Sequence, residues 1–278
     1  MEVLLSGLGI PESPRWRDGR LWFANWIAQE IVAVGLDGTV ERWPAPSERL
    51  MGWSIDWLPD GSLLTTGDRL RRQQADGSFT TYAEQHANEI VVDARGNAYV
   101  NGADFDFAGG EAPKPGYIKL VTPTGEIREV AQDIQFPNGM VISPDGSTLV
   151  ISESFAGRLT AFDIAADGGL GNRRVFADGL GPDGICQDVE GAIWVATGGS
   201  DVVRVADGGE VLQRVELSAD KAPFAIALGG DDRRTLCILR AEWRPGDSIT
   251  DNLDRLTNGP RTGEIVTLRV DVPGTGRP

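Results

Sequence analysis

Apolar and polar residues alternate along most of this chain in short runs that come in pairs, each pair joined at a tight turn. One such pair recurs six times: PESPRWRDGRLWFAN, GWSIDWLPDGSLLTT, ANEIVVDARGNAYVN, PNGMVISPDGSTLVIS, PDGICQDVEGAIWVA and PFAIALGGDDRRTLCIL. Between the copies lie IVAVGLDGTVERW, LRRQQADGSFTTYA, YIKLVTPTGEIREVA, RLTAFDIAADGGLGNRRVFA, VVRVADGGEVLQRVEL and the single-strand EIVTLRVDV. Asp-Gly and Thr-Gly turns between alternating strands are hairpin signals, so each repeat supplies four strands. The inner turns (Gly19, Gly61, Gly96, Gly146, Gly191 and Asp232) are spaced by 42, 35, 50, 45 and 41 residues. That period is the one expected of propeller blades, whereas a β-sandwich gives no reason for six copies. The pattern therefore predicts an all-β fold, a six-bladed β-propeller with four-stranded blades, forming a single domain over residues 1–278. EVLLSGL at the start is placed as the fourth strand of the last blade, whose third is EIVTLRVDV, so strands from both ends close the ring. Two stretches rich in Gly, Pro and polar residues, 104–116 and 241–263, interrupt the pattern and read as long loops.

One repeat position carries chemistry. Eight residues before the turn glycine stand Trp53, Asn88, Asn138 and Asp183; the shorter first copy places Glu12 there and the sixth Phe224. Innermost strands line a propeller's channel, so equivalent positions sit at one depth around one axis. Each residue has a local alternative: Asp183-Gly184 as a turn, Glu12 as a cap between prolines, Asn88 in a bend. Four acids or amides at one position of a strand that ought to be apolar favour convergence instead. Two carboxylates brought together this way repel and are costly to desolvate unless neutralised. Oxygen-only donors suit a hard cation such as Ca²⁺ or Mg²⁺, with Zn²⁺ and Mn²⁺ as alternatives. Trp53 and Phe224 are read as apolar walls. His86, the sole histidine, stands two residues before Asn88 at the channel mouth. It reads first as a structural residue, with a hydrogen bond to a substrate oxygen as the alternative.

Composition narrows the partners. Lysine and arginine number 26 against 41 aspartates and glutamates, a formal charge of −15 that repels nucleic acid and anionic lipid alike. Cys186 and Cys237 lie singly inside apolar strands, as reduced, buried thiols do. The first residues lack a basic run and a signal-like apolar stretch, and no window is as apolar as a membrane span. The expectation is a soluble cytoplasmic protein with a small-molecule partner, no nucleic acid and no membrane.

The chain resembles the family of senescence marker protein (regucalcin), gluconolactonases and luciferin-regenerating enzymes. The resemblance runs over essentially its whole length, through GIPESPRW around Glu12, ANEIVVDARGNAYV around Asn88, FPNGMVISPDG around Asn138, SFAGRLTAFDIAADG from Ser154 and PDGICQDVEGAIWVA around Asp183. It implies one divalent metal, Ca²⁺ first, held by Glu12, Asn138 and Asp183, with Asn88 on the metal or substrate directly or through water. It also implies Asp183 as general base and, by ungapped count from Asn88, Asp106 as a substrate-contacting acid. Relatives often read Asn-Asp where this chain has Asn88-Glu89, and some sugar lactonases carry arginine where it has His86, so a guanidinium fork for hydroxyls is missing.

These readings lead to a metal-dependent hydrolase that opens a lactone, by metal polarisation of the carbonyl and water attack assisted by Asp183. Asn88, His86, Asp106 and Trp53 would contact the substrate. The alternatives are phosphotriester or fluorophosphate hydrolysis on the same metal, and a calcium-binding propeller without physiological catalysis.

Overall fold

A computed structural model of the chain describes residues 1–105, 111–244 and 246–276. The first strand, β1 (Glu2–Leu8), belongs to the last blade. Blade I holds β2 (Ile10–Arg17), β3 (Arg20–Trp26), β4 (Glu30–Gly35) and β5 (Val40–Pro44); blade II holds β6 (Ile55–Trp57), β7 (Leu63–Thr65), β8 (Leu70–Gln73) and β9 (Phe79–Ala83). Blade III comprises β10 (Ile90–Val92), β11 (Ala98–Gly102), β12 (Gly116–Val121) and β13 (Ile127–Ile134). β14 (Pro137–Ile142), β15 (Thr148–Glu153), β16 (Arg158–Ile164) and β17 (Leu170–Ala177) make blade IV. Blade V follows as β18 (Ile185–Gln187), β19 (Ile193–Ala196), β20 (Asp201–Val205) and β21 (Val211–Glu216). Blade VI runs outward from β22 (Lys221–Gly229) through β23 (Thr235–Glu242) and β24 (Gly263–Arg269) to β1. All pairings are antiparallel, and successive inner strands touch one another around the ring. This is the six-bladed propeller that the repeats predict.

The ring closes as expected. β1 pairs with β24 from Glu2↔Thr267 to Leu8↔Gly263. Leu8 is fully buried at this seam among Leu21, Phe23, Leu239 and Ile265. The hydrophobic core is not central. It is divided into layers between neighbouring blades, such as Trp194 with Leu236 and Ile238 between blades V and VI, or Tyr99 with Leu149 and Ile151 between III and IV. Trp16, Trp22, Trp57 and Trp194 all pack in such layers, and both cysteines are free and buried there.

The stretch 241–263 corrects one expectation, for it contains a helix, α1 (Ile249–Asn258). Ser248 caps it: its hydroxyl accepts from the Asp251 N–H at 3.1 Å and donates to Asp251 Oδ2 at 2.8 Å. The helix buries Asn252 and Leu256, and Asn252 bonds back to both backbone groups of Arg244. With ten residues it shows too few turns for its period to stand out in the sequence. Among the described residues no helix is long and apolar enough to cross a membrane.

Removing residues 1–8 exposes the β24 edge and the blade VI–I layer. The expected outcome is a melting temperature lower by roughly 10 °C or more, with self-association through the open edge. Thermal unfolding and size-exclusion chromatography read both, and unchanged melting of a monomer would show that closure is dispensable.

Candidate active site

The repeat position is special in the backbone before it is special in chemistry. In blades I, IV and VI, strand register breaks at this point, between Glu12 and Arg15, Pro137 and Met140, and Pro223 and Ala225. In blades III and V the residue lies just ahead of a short inner strand. Asn88 N–H there bonds Asn101 O at 2.8 Å and Asp183 N–H bonds Ala196 O at 2.8 Å. An irregular ladder re-aims a side chain that a regular strand would alternate into the blade. Gly139 and Gly184, following Asn138 and Asp183, let the next blade pass close: a Cβ on Gly139 would meet Ile185 N at 2.8 Å, and one on Gly184 would meet Ala225 Cα at 2.7 Å.

Hydrogen bonds between blades fix these residues relative to one another. Ile55 N–H donates to Ser13 Oγ at 3.0 Å, tying blade II to blade I. Ser54 Oγ donates to Asn88 O at 2.7 Å, and Asn101 Nδ2 to Asn138 O at 2.7 Å. Ser154 Oγ donates to Pro182 O at 2.7 Å, and Gly184 N–H to Phe224 O at 2.8 Å. A chain of short polar links thus runs from blade I to blade VI directly behind the site.

Glu12, Asp183 and Glu89 form one electrostatic cluster. Burial pushes the Glu12 carboxyl well above the usual carboxylate range, and the charges of Asp183 and Glu89 push it further. Asp183 is raised to about 8, first by burial and then by Glu89, while the adjacent Asn138 amide opposes the shift. Glu89 is raised by burial, against the pull of Arg15 and a hydrogen bond from Ser54 Oγ at 2.8 Å. Asp183 is half-buried, yet its Oδ1 is buried with no hydrogen-bond partner. An orphaned carboxylate oxygen among repelling acids is what a cation would satisfy. Among the described residues no three acidic, histidine or cysteine side chains gather around one point, so a metal here would be held by two carboxylates completed by amide oxygens. Glu12, Asp183 and the half-buried Asn138 and Asn88 provide that hard-oxygen set, which fits such an ion.

Other expected residues divide. His86 is exposed at the mouth, its Nε2 3.0 Å from Asp104 Oδ1 and 2.9 Å from the Tyr117 hydroxyl. Trp53 is a correction: its ring has no exposed surface and packs with Ala24, Ile31, Ile55 and Leu63 between blades I and II. The Trp26 indole N–H donates to the Trp53 carbonyl at 2.6 Å, so this position turns away from the axis into the layer and offers no wall to a ligand. Phe224 stays half-buried, edge-on to Trp243. Asp106 lies outside the described residues.

Two participants escaped the sequence reading. Glu89 was visible only as a departure from Asn-Asp. Arg15, inside the PESPRW segment, is buried beneath the acids and donates to Pro14 O at 3.0 Å and Ile90 O at 2.7 Å, with Asp56 Oδ1 3.6 Å from its Nε. The opposite end of the channel opens into a cavity of about 410 Å³ lined by Trp16, Asp56, Val92, Ile142 and Leu228. Its charged groups are already paired (Arg15 with Asp56, Arg17 with Asp18, Asp93 with Arg95).

Residues 10–242 match the model of the SMP-30/gluconolactonase/LRE-like region. The chain belongs to this family. Within the SMP-30/gluconolactonase/LRE-like family it is similar to 6-deoxy-6-sulfogluconolactonase of Pseudomonas putida, 33% identical over 97% of this chain and 94% of that one. It is also similar to L-arabinolactonase of Azospirillum brasilense, 30% identical over 92% and 87% of the two chains. The crystal structure of a calcium-binding protein, regucalcin, from Agrobacterium tumefaciens superposes with a TM-score of 0.81 at 25% identity, covering 100% of this chain and 96% of that one.

The raised carboxyls set a pH dependence for metal-free protein. A carboxyl whose pKa rises on folding contributes stability fully present below its unfolded pKa and lost as pH climbs through its folded value. For Asp183 that window runs from 3.8 to about 8, and Glu12 acts in the same sense from 4.5 upward. Chelator-treated protein should therefore melt at progressively lower temperature between about pH 5 and about pH 8. Added Ca²⁺ should flatten the trend, and so should Asp183→Asn without metal. Differential scanning calorimetry checks this, and a flat profile in metal-free wild type would contradict the clustering of the acids.

Proposed function

We propose that this protein is a divalent-metal-dependent lactonase, with Ca²⁺ the first choice of ion. The observation that carries the reading is the meeting of Glu12, Asn138 and Asp183 around an orphaned, buried carboxylate oxygen, in a chain whose relatives include two lactonases by name. Glu12, Asn138 and Asp183 would hold the ion, with Asn88 completing the set directly or through water. Such an ion, when bound, supplies Lewis-acid polarisation of the ester carbonyl and neutralises the acids around it.

The chain's own residues do the rest. Asp183 holds the attacking water and takes its proton as oxygen adds to the carbonyl carbon. The bond from that carbon to the ring oxygen then breaks, the proton passes to the departing alkoxide, and a hydroxy acid leaves. Asn88 orients the ring by its amide. His86, steadied by Asp104 and Tyr117, presents an imidazole at the mouth to an oxygen of the substrate. Burial, and after it the Asp104 charge, raises the Tyr117 hydroxyl to about 12, so it stays protonated and serves as a fixed hydrogen-bonding support. Glu89, next to Asn88 in the chain, accepts from Ser54 Oγ and is drawn toward Arg15, which leaves it less free to ligate.

Proton release on a panel of lactones, with stripped protein and after return of Ca²⁺, Mg²⁺, Mn²⁺ or Zn²⁺, tests the reading. Turnover restored by metal is expected. Asp183→Asn should lower kcat by about 100-fold or more while the protein stays folded, and Glu12→Gln should weaken metal binding measured by calorimetry. Full turnover by Asp183→Asn would remove its role. Activity confined to phosphotriesters would move the function to that chemistry, and metal binding with no turnover at all would favour a calcium-binding role.

A further inference from the structure

Blade VI lies opposite blade III across the ring, and the two rims differ in kind. Blade III offers His86, Asp104 and Tyr117. Blade VI offers Phe224, with Trp243 set edge-on at 5.8 Å. Met51, in the connection from blade I to blade II, joins the same apolar group with Trp26. We infer that this wall receives an apolar substituent, so that the ring opened here is a lactone carrying an aliphatic or aromatic group rather than hydroxyls alone; this rests on the lactonase reading above.

Position argues for it first. The Phe224 carbonyl accepts from Gly184, the neighbour of Asp183, and unlike Trp53 in the second copy the Phe224 side chain is not fully buried. Met51 precedes Gly52, where a Cβ would lie 3.5 Å from Asn88 Oδ1. The wall therefore borders the reacting end at two points. Burial argues for it next. Ile10, Ile27 and Ala241 of the same group are buried together with Leu256 of α1, whereas Phe224, Trp243 and Met51 keep part of their surface open. Packing the insertion accounts for the first set and leaves the open faces of the second without a structural task.

The polar chemistry points the same way. A polyhydroxylated ring needs a donor or acceptor for each hydroxyl, and the cations of blades III and IV are engaged. Lys119 bonds Gln85 at 3.0 Å over the Tyr117 ring, and Arg158 and Arg173 both reach Glu153 at 3.0 Å. His86 and the amides suffice for a carbonyl and a ring oxygen. On the blade IV rim, Phe136 stacks on Phe155 at 4.2 Å and meets Phe105 at 6.1 Å.

The test compares metal-loaded full-length protein on five-membered lactones with alkyl chains of increasing length and on hydroxylated rings of the same size. In wild type, kcat/KM should rise about fourfold for each of the first methylenes added, as burial of a methylene on an apolar wall requires. Phe224→Ala should flatten that slope to under about twofold per methylene, while Phe224→Leu, which keeps an apolar side chain, should retain most of it. A preference for hydroxylated rings, or no dependence on chain length, overturns the inference. So does a Phe224→Ala loss that is equal at every length and tracks a fall in melting temperature, since that is packing alone. If no lactone is turned over, binding of alkyl-substituted lactams, unreactive cyclic analogues, separates the two readings by calorimetry. Affinity that rises with chain length keeps the wall and rejects hydrolysis, and flat affinity rejects the wall.

Discussion

The pairing of β1 with β24 is the constraint on which the rest depends. Six blades bring six equivalent positions to one depth only when the ring is closed, because an open arc would leave blade VI displaced from blade I. Closure here is not made by a separate strap. The outer strand of the last blade comes from the start of the chain, and Leu8 at its end is sealed in the layer between the last and first blades. The distance in sequence between Glu12 and Asp183 is bridged by that geometry rather than by any local structure.

Closure also creates a problem. It forces Glu12, Glu89 and Asp183 into one another's fields in a poorly solvated channel, where like charges are expensive. The polar links between neighbouring blades are what hold the arrangement against that repulsion. Arg15 offsets part of it from below, with its two terminal nitrogens donating to Pro14 O and Ile90 O and Asp56 3.6 Å from its Nε. Asp183 Oδ1 is left buried without a hydrogen-bond partner. On the proposed reading such a site would be preorganised for a cation, since folding has already brought the acids together.

What the sequence made legible was whatever repeated. Asp-Gly turns, alternating strands and the position eight residues before each turn glycine gave the blades, their closure and the meeting of Glu12, Asn138 and Asp183. What did not repeat stayed hidden. Arg15 and Glu89 have no counterparts in other copies, and their meeting depends on the lateral approach of blades I, II and III. Trp53 shows the limit of repetition itself: equal position in the sequence did not give equal orientation. The layer between blades I and II has room for an indole, and the Trp26 N–H fixes the Trp53 backbone, so the ring turned inward to the layer. Helix α1 was missed because it is an insertion, governed by its own capping serine and not by the period around it.

That division between repeated and inserted parts has a chemical counterpart. The floor of the site, with its acids and amides, is set by the repeat, whose neighbouring copies are tied blade to blade by polar links. The rim is set by the non-repeating pieces: the connection carrying Met51, the stretch after β11 with Asp104, and the insertion that carries Trp243 and α1. None of these has to obey the blade geometry, so the rim can alter without disturbing the floor. On the proposed reading, a floor that holds a metal would polarise a carbonyl whatever is attached to it, and selectivity among cyclic esters would then fall to the rim. In this chain the described rim is polar on one blade and apolar across the ring from it, an asymmetry that, on the proposed reading, would orient an amphiphilic ring with its ester toward Asp183 and its substituent toward Phe224.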